Sequence, residues 1–176
     1  MMRKVILYIA MSLDGYMADQ DGRIDWLHGD NTSYPPTESY YHLLKHVDCV
    51  IMSEKTFQMM QKKLEQQIHQ GLKIYVLSSI TQLSFDNIVF TLEDICTLVK
   101  RLKQEAGKDI WICGGQQFIT PLIQANMIDE YHISMIPALI GKGARLFEDF
   151  DHEKRLSLIK TYVYNGIVDI EYEKKY

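Results

Sequence analysis

Two glycines, Gly114 and Gly115, end the apolar run Ile110-Trp111-Ile112-Cys113 and are followed by Gln116 and Gln117. Apolar residues at 118, 119, 122 and 123 then recur at helical spacing. Strand, two glycines and helix is the arrangement with which α/β proteins bring bare backbone N–H groups up to a phosphate. Glycine permits close approach, and the helix N-terminus carries partial positive charge. Taken alone, the same pattern also describes an ordinary strand-to-helix turn. Among the carboxylates, Asp14 precedes Gly15 and suits either a substrate-orienting or proton-relaying role or a turn that accepts backbone hydrogen bonds. Glu38 follows Pro35-Pro36 and reads as a helix N-terminal charge. Trp26 sits in a long loop as a stacking partner or a loop anchor. His42 and His46 have the i, i+4 spacing of a zinc pair, but no third ligand accompanies them and no metal site is expected. Cys113, at a buried strand end, reads as an inert thiol.

The elements that must position these groups follow from apolar periodicity. Short apolar runs at 5–11, 49–52, 73–77, 87–90, 110–113 and 131–136 predict buried strands. Tyr40, Leu44 and Val47 predict a short helix, and Phe57, Met60 and Leu64 the face of another. Thr91-Leu-Glu-Asp94 has the form of a capping box, opening a helix with Leu92, Ile95, Val99, Leu102 and Ala106 on one side and Gly107 at its end. Pro121 falls inside the last helical pattern, as a kink or within its first turn. Asn165-Gly166 predicts a hairpin between 156–164 and 167–173, where Val168, Ile170 and Tyr172 alternate with Asp169, Glu171 and Glu173. The stretch from Gly15 to Glu38 lacks regular periodicity, and its Trp26 favours a loop that packs over something.

The 176 residues, 47% hydrophobic and 24% charged, suit one globular domain with its own core. A net charge of −4 argues against a broad nucleic-acid or anionic-membrane surface. Three cysteines far apart, with no C-x-x-C pair, read as free thiols in a reducing compartment, so the cytoplasm is the expected location.

Several segments together resemble one family. Ile9 to Ala18 (Ile-Ala-Met-Ser-Leu-Asp-Gly-Tyr-Met-Ala) is similar to the opening of the dihydrofolate reductase-like reductases, which include the reductase domain of bifunctional riboflavin-biosynthesis proteins. Gly22-Arg-Ile-Asp-Trp26, Asp48-Cys-Val-Ile-Met52 with Lys55-Thr56, Leu77-Ser-Ser79 and Cys113-Gly-Gly115 resemble later family segments in order. Ile128-Asp-Glu-Tyr131 and Pro137 to Phe147 are similar to the riboflavin-type branch in particular. The resemblance implies an α/β fold, a three-layer αβα sandwich whose mixed, mostly parallel sheet ends in an antiparallel hairpin. It also implies a homodimer and a nicotinamide cofactor, NADPH, across the strand ends. On that resemblance Ala10 approaches the nicotinamide amide, the Asp14–Trp26 loop closes over the cofactor, and Gly114, Gly115, Gln116 and Gln117 hold the pyrophosphate. Lys55 and Thr56 add phosphate contacts, and Ser78 and Ser79 lie near the adenosine ribose.

Two positions depart from the family pattern. The usual Gly-Arg-Lys-Thr is Ser53-Glu54-Lys55-Thr56, so a carboxylate stands where a cation faces the adenosine-side phosphates, which opens NADH as the alternative cofactor. Cys113 replaces the glutamate that reaches the pyrimidine in riboflavin-pathway reductases. The function expected is hydride transfer from NAD(P)H to a small pteridine- or pyrimidine-like heterocycle, related to 5-amino-6-(5-phosphoribosylamino)uracil reductase. Asp14 and Glu38 are the catalytic candidates. The alternative is a nucleotide-binding module of the same fold without turnover.

Overall fold

A computed structural model describes residues 2–35, 37–66, 71–84, 86–150 and 152–175. Pro36 and the Leu64 side chain lie outside the described residues. The chain runs β1 (Val5–Ser12), β2 (Tyr16–Asp19), α1 (Glu38–His46), β3 (Val47–Ser53), α2 (Glu54–Gln66), β4 (Lys73–Leu77), β5 (Ile88–Thr91) and α3 (Ile95–Gln104). It continues through β6 (Asp109–Ile112), α4 (Gln116–Gln124), β7 (Glu130–Ile136), β8 (Gly143–Arg145), β9 (Leu156–Tyr164) and β10 (Ile167–Lys174).

Eight strands form one sheet in the order β5-β4-β3-β6-β1-β7-β10-β9. The neighbours from β5 to β7 pair in parallel, and β10 and β9 close the sheet in antiparallel. The strand alternation sorts side chains into two cores. Val5, Leu7, Ile51, Ile110 and Ile112 meet Leu98 and Leu102 of α3 and Ile119 and Leu122 of α4. Ile6, Val50, Met52, Val76 and Trp111 meet Leu43 of α1 and Phe57 of α2. Helix, sheet and helix make three layers, as expected. Fully burying Leu98 and Leu102 alone contributes about 3–6 kcal/mol by area removed from water.

Three local expectations change. Helix α3 starts at Ile95, not after Thr91, because Thr91 is used by the sheet: it pairs with Leu77, and its carbonyl accepts from Ser78 N–H (3.1 Å). Asp94 is the cap instead, accepting from the N–H groups of Cys96 (3.0 Å) and Thr97 (3.1 Å), and Leu92 is exposed rather than on the buried face. Gly107 does not end the helix, whose C-cap is Glu105. Glycine is required there by space, since a Cβ would stand 2.3 Å from Asp48 Oδ2, where that carboxylate pairs with Arg3. Pro121 lies inside α4, past its first turn.

The stretch after Gly15 is more structured than its sequence indicates. Strand β2 pairs with β8, which lies more than a hundred residues later. Farther along, Gly29 packs directly on the β9–β10 turn, where its Cβ would stand 1.8 Å from the Asn165 carbonyl. Asp30 N–H donates to that carbonyl (3.0 Å), Asn31 N–H donates to Asn165 Oδ1 (2.8 Å), and Asn165 Nδ2 donates to the Asn31 carbonyl (3.0 Å). Asn165 (φ 48°) and Gly166 (φ 73°) have the two left-handed residues of a type I′ hairpin turn, so the turn geometry sets the shape of this clasp.

Candidate functional site

Strands β1 and β6 lie side by side only from Val5↔Ile110 to Leu7↔Ile112. Beyond that, Cys113 donates its N–H to the Ile51 carbonyl (2.9 Å), while β1 runs on to Ser12 along β7 alone. Trp111 Nε1 donates to the Tyr8 carbonyl (3.2 Å) at the base of the split. Ala10 stands on one bank and Gly114 on the other. Crevices at the carboxyl ends of parallel strands are where open α/β sheets take ligands.

The Gly114 bank gathers two helix starts. Ser53 Oγ caps α2 by accepting from Thr56 N–H (3.0 Å) and lies 2.8 Å from Thr56 Oγ1. A Cβ on Gly114 would be 3.5 Å from that Thr56 hydroxyl, so the second helix presses against the glycine pair. Gly114 (φ 80°) and Gly115 (φ 98°) are both left-handed, and Gly115 caps α4 with no side-chain hydrogen bond. The α4 N-terminus therefore presents backbone N–H groups and dipole with no capping side chain in front of them. Gln116 turns its side chain away, donating from Nε2 to Glu148 (2.7 Å), and the Gln117 side chain is exposed.

Glu54 opens α2 and is held by side chains that follow β4. Its carboxylate accepts from Ser78 Oγ (2.9 Å) and Gln82 Nε2 (2.7 Å). Ser79 is exposed beside Ser78. Lys55 reaches the early loop, where its Nζ would be 2.4 Å from a Cβ on Gly22. Arg23, the other cation near that turn, is held by Asp19 and Asp21. Trp26 in the same loop has a buried Nε1 donor with no hydrogen-bond partner among the described residues.

Asp14 ties the end of β1 to the segment before β8. It accepts from Ser12 Oγ (2.6 Å), Ile140 N–H (3.1 Å) and Gly141 N–H (2.7 Å). These bonds, the Ser12 hydroxyl first, hold its carboxyl down at about 2, so it is ionised near neutral pH and acts as an acceptor. Burial pushes the Cys113 thiol up to about 12, as an inert thiol requires. Glu38 is exposed at the first turn of α1, whose cap Thr37 accepts from Tyr40 N–H (3.3 Å), and no described contact joins it to Asp14. The His42 and His46 ring centroids lie 4.3 Å apart with their planes tilted by 34°, and among the described residues no group of three ligands could hold a metal ion.

The structure thus brings Thr56, Gly114, Gly115 and the α4 start together, joins Glu54 to Ser78, and leaves Ala10 beyond the end of the β1–β6 pairing. Sequence reasoning missed Ser53, although a serine three residues before Thr56 is a capping signal. It also missed Gln82, which lies in a loop without pattern. The donors at the α4 start, the Thr56 hydroxyl and the orphaned Trp26 Nε1 suit the phosphates and amide of a dinucleotide.

Residues 3–168 match the family model of the RibD C-terminal domain. An uncharacterized protein of Bacillus subtilis (strain 168), YwjB, is 34% identical over 173 residues, covering 98% of each chain. Among solved structures, a putative riboflavin biosynthesis protein from Shewanella sp. PV-4 superposes with a TM-score of 0.82 at 26% identity, over 98% of this chain and 99% of that one. A Thermotoga maritima diaminohydroxyphosphoribosylaminopyrimidine deaminase/5-amino-6-(5-phosphoribosylamino)uracil reductase gives 0.70 at 12% identity, over 99% of this chain and 57% of that one, a likeness of fold alone.

Proposed function

The chain belongs to the RibD C-terminal domain family, and from that premise we propose that it is a nicotinamide-dependent reductase acting on a small pteridine- or pyrimidine-like heterocycle. The observation that carries this reading is the split between β1 and β6, with a glycine pair and the uncapped α4 start on one bank and Ala10 on the other. When bound, the reduced nicotinamide supplies the hydride. The chain's own residues position and exclude water. Backbone N–H groups from Gly114 to Gln117 and the Thr56 hydroxyl hold the pyrophosphate, and Ala10 orients the amide through its backbone. Ser78, Ser79 and Glu54 meet the adenosine ribose. Glu54 at this end favours NADH, because a carboxylate accepts from a ribose diol and repels a phosphate on it. Asp14 is a positioning residue: it anchors the segment against which the early loop closes, with Lys55 holding the loop from the other side.

A second copy of the chain is the partner inferred for the β9 edge, where Leu158, Ile159 and Val163 are exposed. The free Cys49, Cys96 and Cys113 support a cytoplasmic setting, and among the described residues no helix is long and apolar enough to cross a membrane.

Equilibrium titration with NADH and NADPH, read by Trp26 and Trp111 fluorescence, tests the reading. Micromolar binding of either supports it, and no binding at millimolar concentration by a folded protein refutes it. A binding module without turnover is the competing reading, favoured by the Glu54–Ser78–Gln82 bonds that already close the adenosine end on themselves. Tight cofactor binding without oxidation across a panel of pterins and pyrimidines would select it.

A further inference from the structure

On the α3–α4 side of the sheet a cavity of about 360 Å3 opens beyond α4, between that helix, strands β7 and β10 and the segment that precedes β9. Met11, Ile133 and Ile170 line it from the sheet, Ile123 from α4, and Phe147 and Phe150 from the segment. Its volume is in the range of small-molecule sites, and its lining is mostly apolar, as theirs is. Leu158, Ile159 and Val163, the exposed residues of the β9 edge, lie outside the lining, so a second copy on that edge and an occupant of the cavity use different side chains.

The polar groups of the lining are all donors. Tyr131 and Tyr172 stand directly opposite each other on β7 and β10, and Lys154 joins them. Among the described residues, neither phenol hydroxyl nor the ammonium makes a hydrogen bond or an ion pair. The neighbours of Lys154 in the chain do not neutralise it, since Glu153 pairs with Arg155 (2.8 Å). Burial pushes the Tyr131 hydroxyl up to about 12, so it keeps its proton near neutral pH. Asp129, whose charge adds to that rise, is held by Lys103 (2.7 Å) and Lys174 (2.6 Å). No acidic side chain is among the described residues of the lining. One unmatched cation and two hydroxyls, set in an otherwise hydrocarbon and aromatic surface, complement an apolar body with a single anionic end.

We propose that this cavity binds a free amphiphilic carboxylate, its chain among Met11, Ile123, Ile133 and Ile170 and its carboxylate turned to Lys154, Tyr131 and Tyr172. From β1 through β7 to β10 is two inter-strand spacings, about 10 Å, which an extended chain of about eight carbons spans. An ionised carboxylate only accepts, so it can satisfy all three donors at once. A wholly apolar occupant leaves them buried without partners, which costs free energy. Occupancy of the cavity needs neither the nicotinamide cofactor nor reductase turnover.

Calorimetric titration of the full chain with octanoate, 1-octanol and butanoate, each alone, tests this. Octanoate is expected to bind below millimolar concentration. 1-Octanol, with the same chain and no charge, should bind at least about tenfold more weakly. Butanoate, which keeps the head group and loses half the chain, should be weaker on the order of a hundredfold. Lys154→Met keeps an apolar stem and removes the charge, so octanoate should weaken by about tenfold while 1-octanol holds. A merely structural role for Lys154 would weaken both. Tyr172→Phe removes one hydroxyl and is the second variant, expected to weaken octanoate several-fold and leave 1-octanol unchanged. In the parent chain, octanoate should shift the methyl NMR signals of Met11, Ile123, Ile133 and Ile170.

Absence of octanoate binding at millimolar concentration overturns the proposal, and so does equal affinity for octanoate and 1-octanol or for octanoate and butanoate. An octanoate to 1-octanol ratio unchanged in Lys154→Met, or in Tyr172→Phe where the first variant does not fold, overturns it as well. Methyl shifts confined to other residues place the octanoate elsewhere and remove the assignment. Sedimentation equilibrium with and without octanoate tests the competing occupant. Octanoate that splits a dimer into monomers would give these walls to the second copy and overturn the proposal, whereas an unchanged mass with the expected methyl shifts supports it.

Discussion

Replacing Glu54 by glutamine isolates what its charge does to cofactor choice. The carboxylate is 2.9 Å from Ser78 Oγ, and Gln82 holds its other oxygen at 2.7 Å. A ribose phosphate that also bonded Ser78 would bring its charge to within about 5 Å of the carboxylate. At an effective dielectric of about 20, that repulsion is about 3 kcal/mol per phosphate charge. Glu54 is partly exposed, and physiological salt, with a Debye length near 8 Å, cuts the figure to about 1.5 kcal/mol. That is about a tenfold shift in dissociation constant. The native protein is therefore expected to bind NADH more tightly than NADPH. In Glu54→Gln, NADPH should tighten by about tenfold while NADH weakens or holds, since the amide oxygen still accepts from the ribose or from Ser78. Tryptophan fluorescence titration with both cofactors at low and physiological salt reads the ratio, and the difference should shrink as salt rises. A ratio that moves by less than twofold, or one that ignores salt, would refute the placement of Glu54 against the ribose.

Asp14 has a depressed carboxyl, so the tether it makes is complete above the ordinary value of 3.8 and is lost as pH falls towards about 2. NMR titration of the Ile140 and Gly141 amides should show that low midpoint, and an ordinary midpoint near 3.8 would remove the tether. Gly115→Ala puts a Cβ 2.8 Å from the Phe118 ring at φ 98° and should destabilise the fold by about 1–3 kcal/mol, measured by urea unfolding. Cys49 and Cys113, both pushed up to about 12 by burial, should resist iodoacetamide at pH 8 in the native protein and react once it is unfolded, as mass spectrometry would report. Sedimentation equilibrium should give twice the 20.6 kDa chain mass, and Val163→Lys should shift it towards the monomer.

The central strands were legible because burial on both faces leaves nearly unbroken apolar runs, as in Cys49–Met52 and Lys73–Leu77, although Val47, read into the helix before it, opens β3 instead. Strands β2 and β8 were not, since four residues and three residues carry no periodicity and their partner is remote in the chain. The glycine pair could be read, because left-handed backbone demands a residue type. Glu54's bonds to Ser78 and Gln82 could not, because they join groups far apart in sequence. The alternation in β10 gave the two faces correctly but not their surroundings. Asp169 and Glu171, on its polar side, are 3% and 5% exposed, the former beneath the hydroxyls of α1 and β9. Periodicity reports which side chains share a face, and only the tertiary neighbours decide whether that face meets water.

Hairpin tips are ordinarily the safest places to insert a tag or to open a chain for circular permutation. The Asn165-Gly166 tip is an exception. Gly29 rests against its backbone, and an added Cβ on Gly166 would stand 2.9 Å from the Asp30 carboxylate. Any insertion there would release the far end of the early loop, 134 residues away along the chain from Asn165 to Asn31, while leaving the sheet intact. A fusion protein built at that tip should therefore fold and bind the proposed nicotinamide cofactor poorly, and the tether that Asp14 makes at the other end could not compensate.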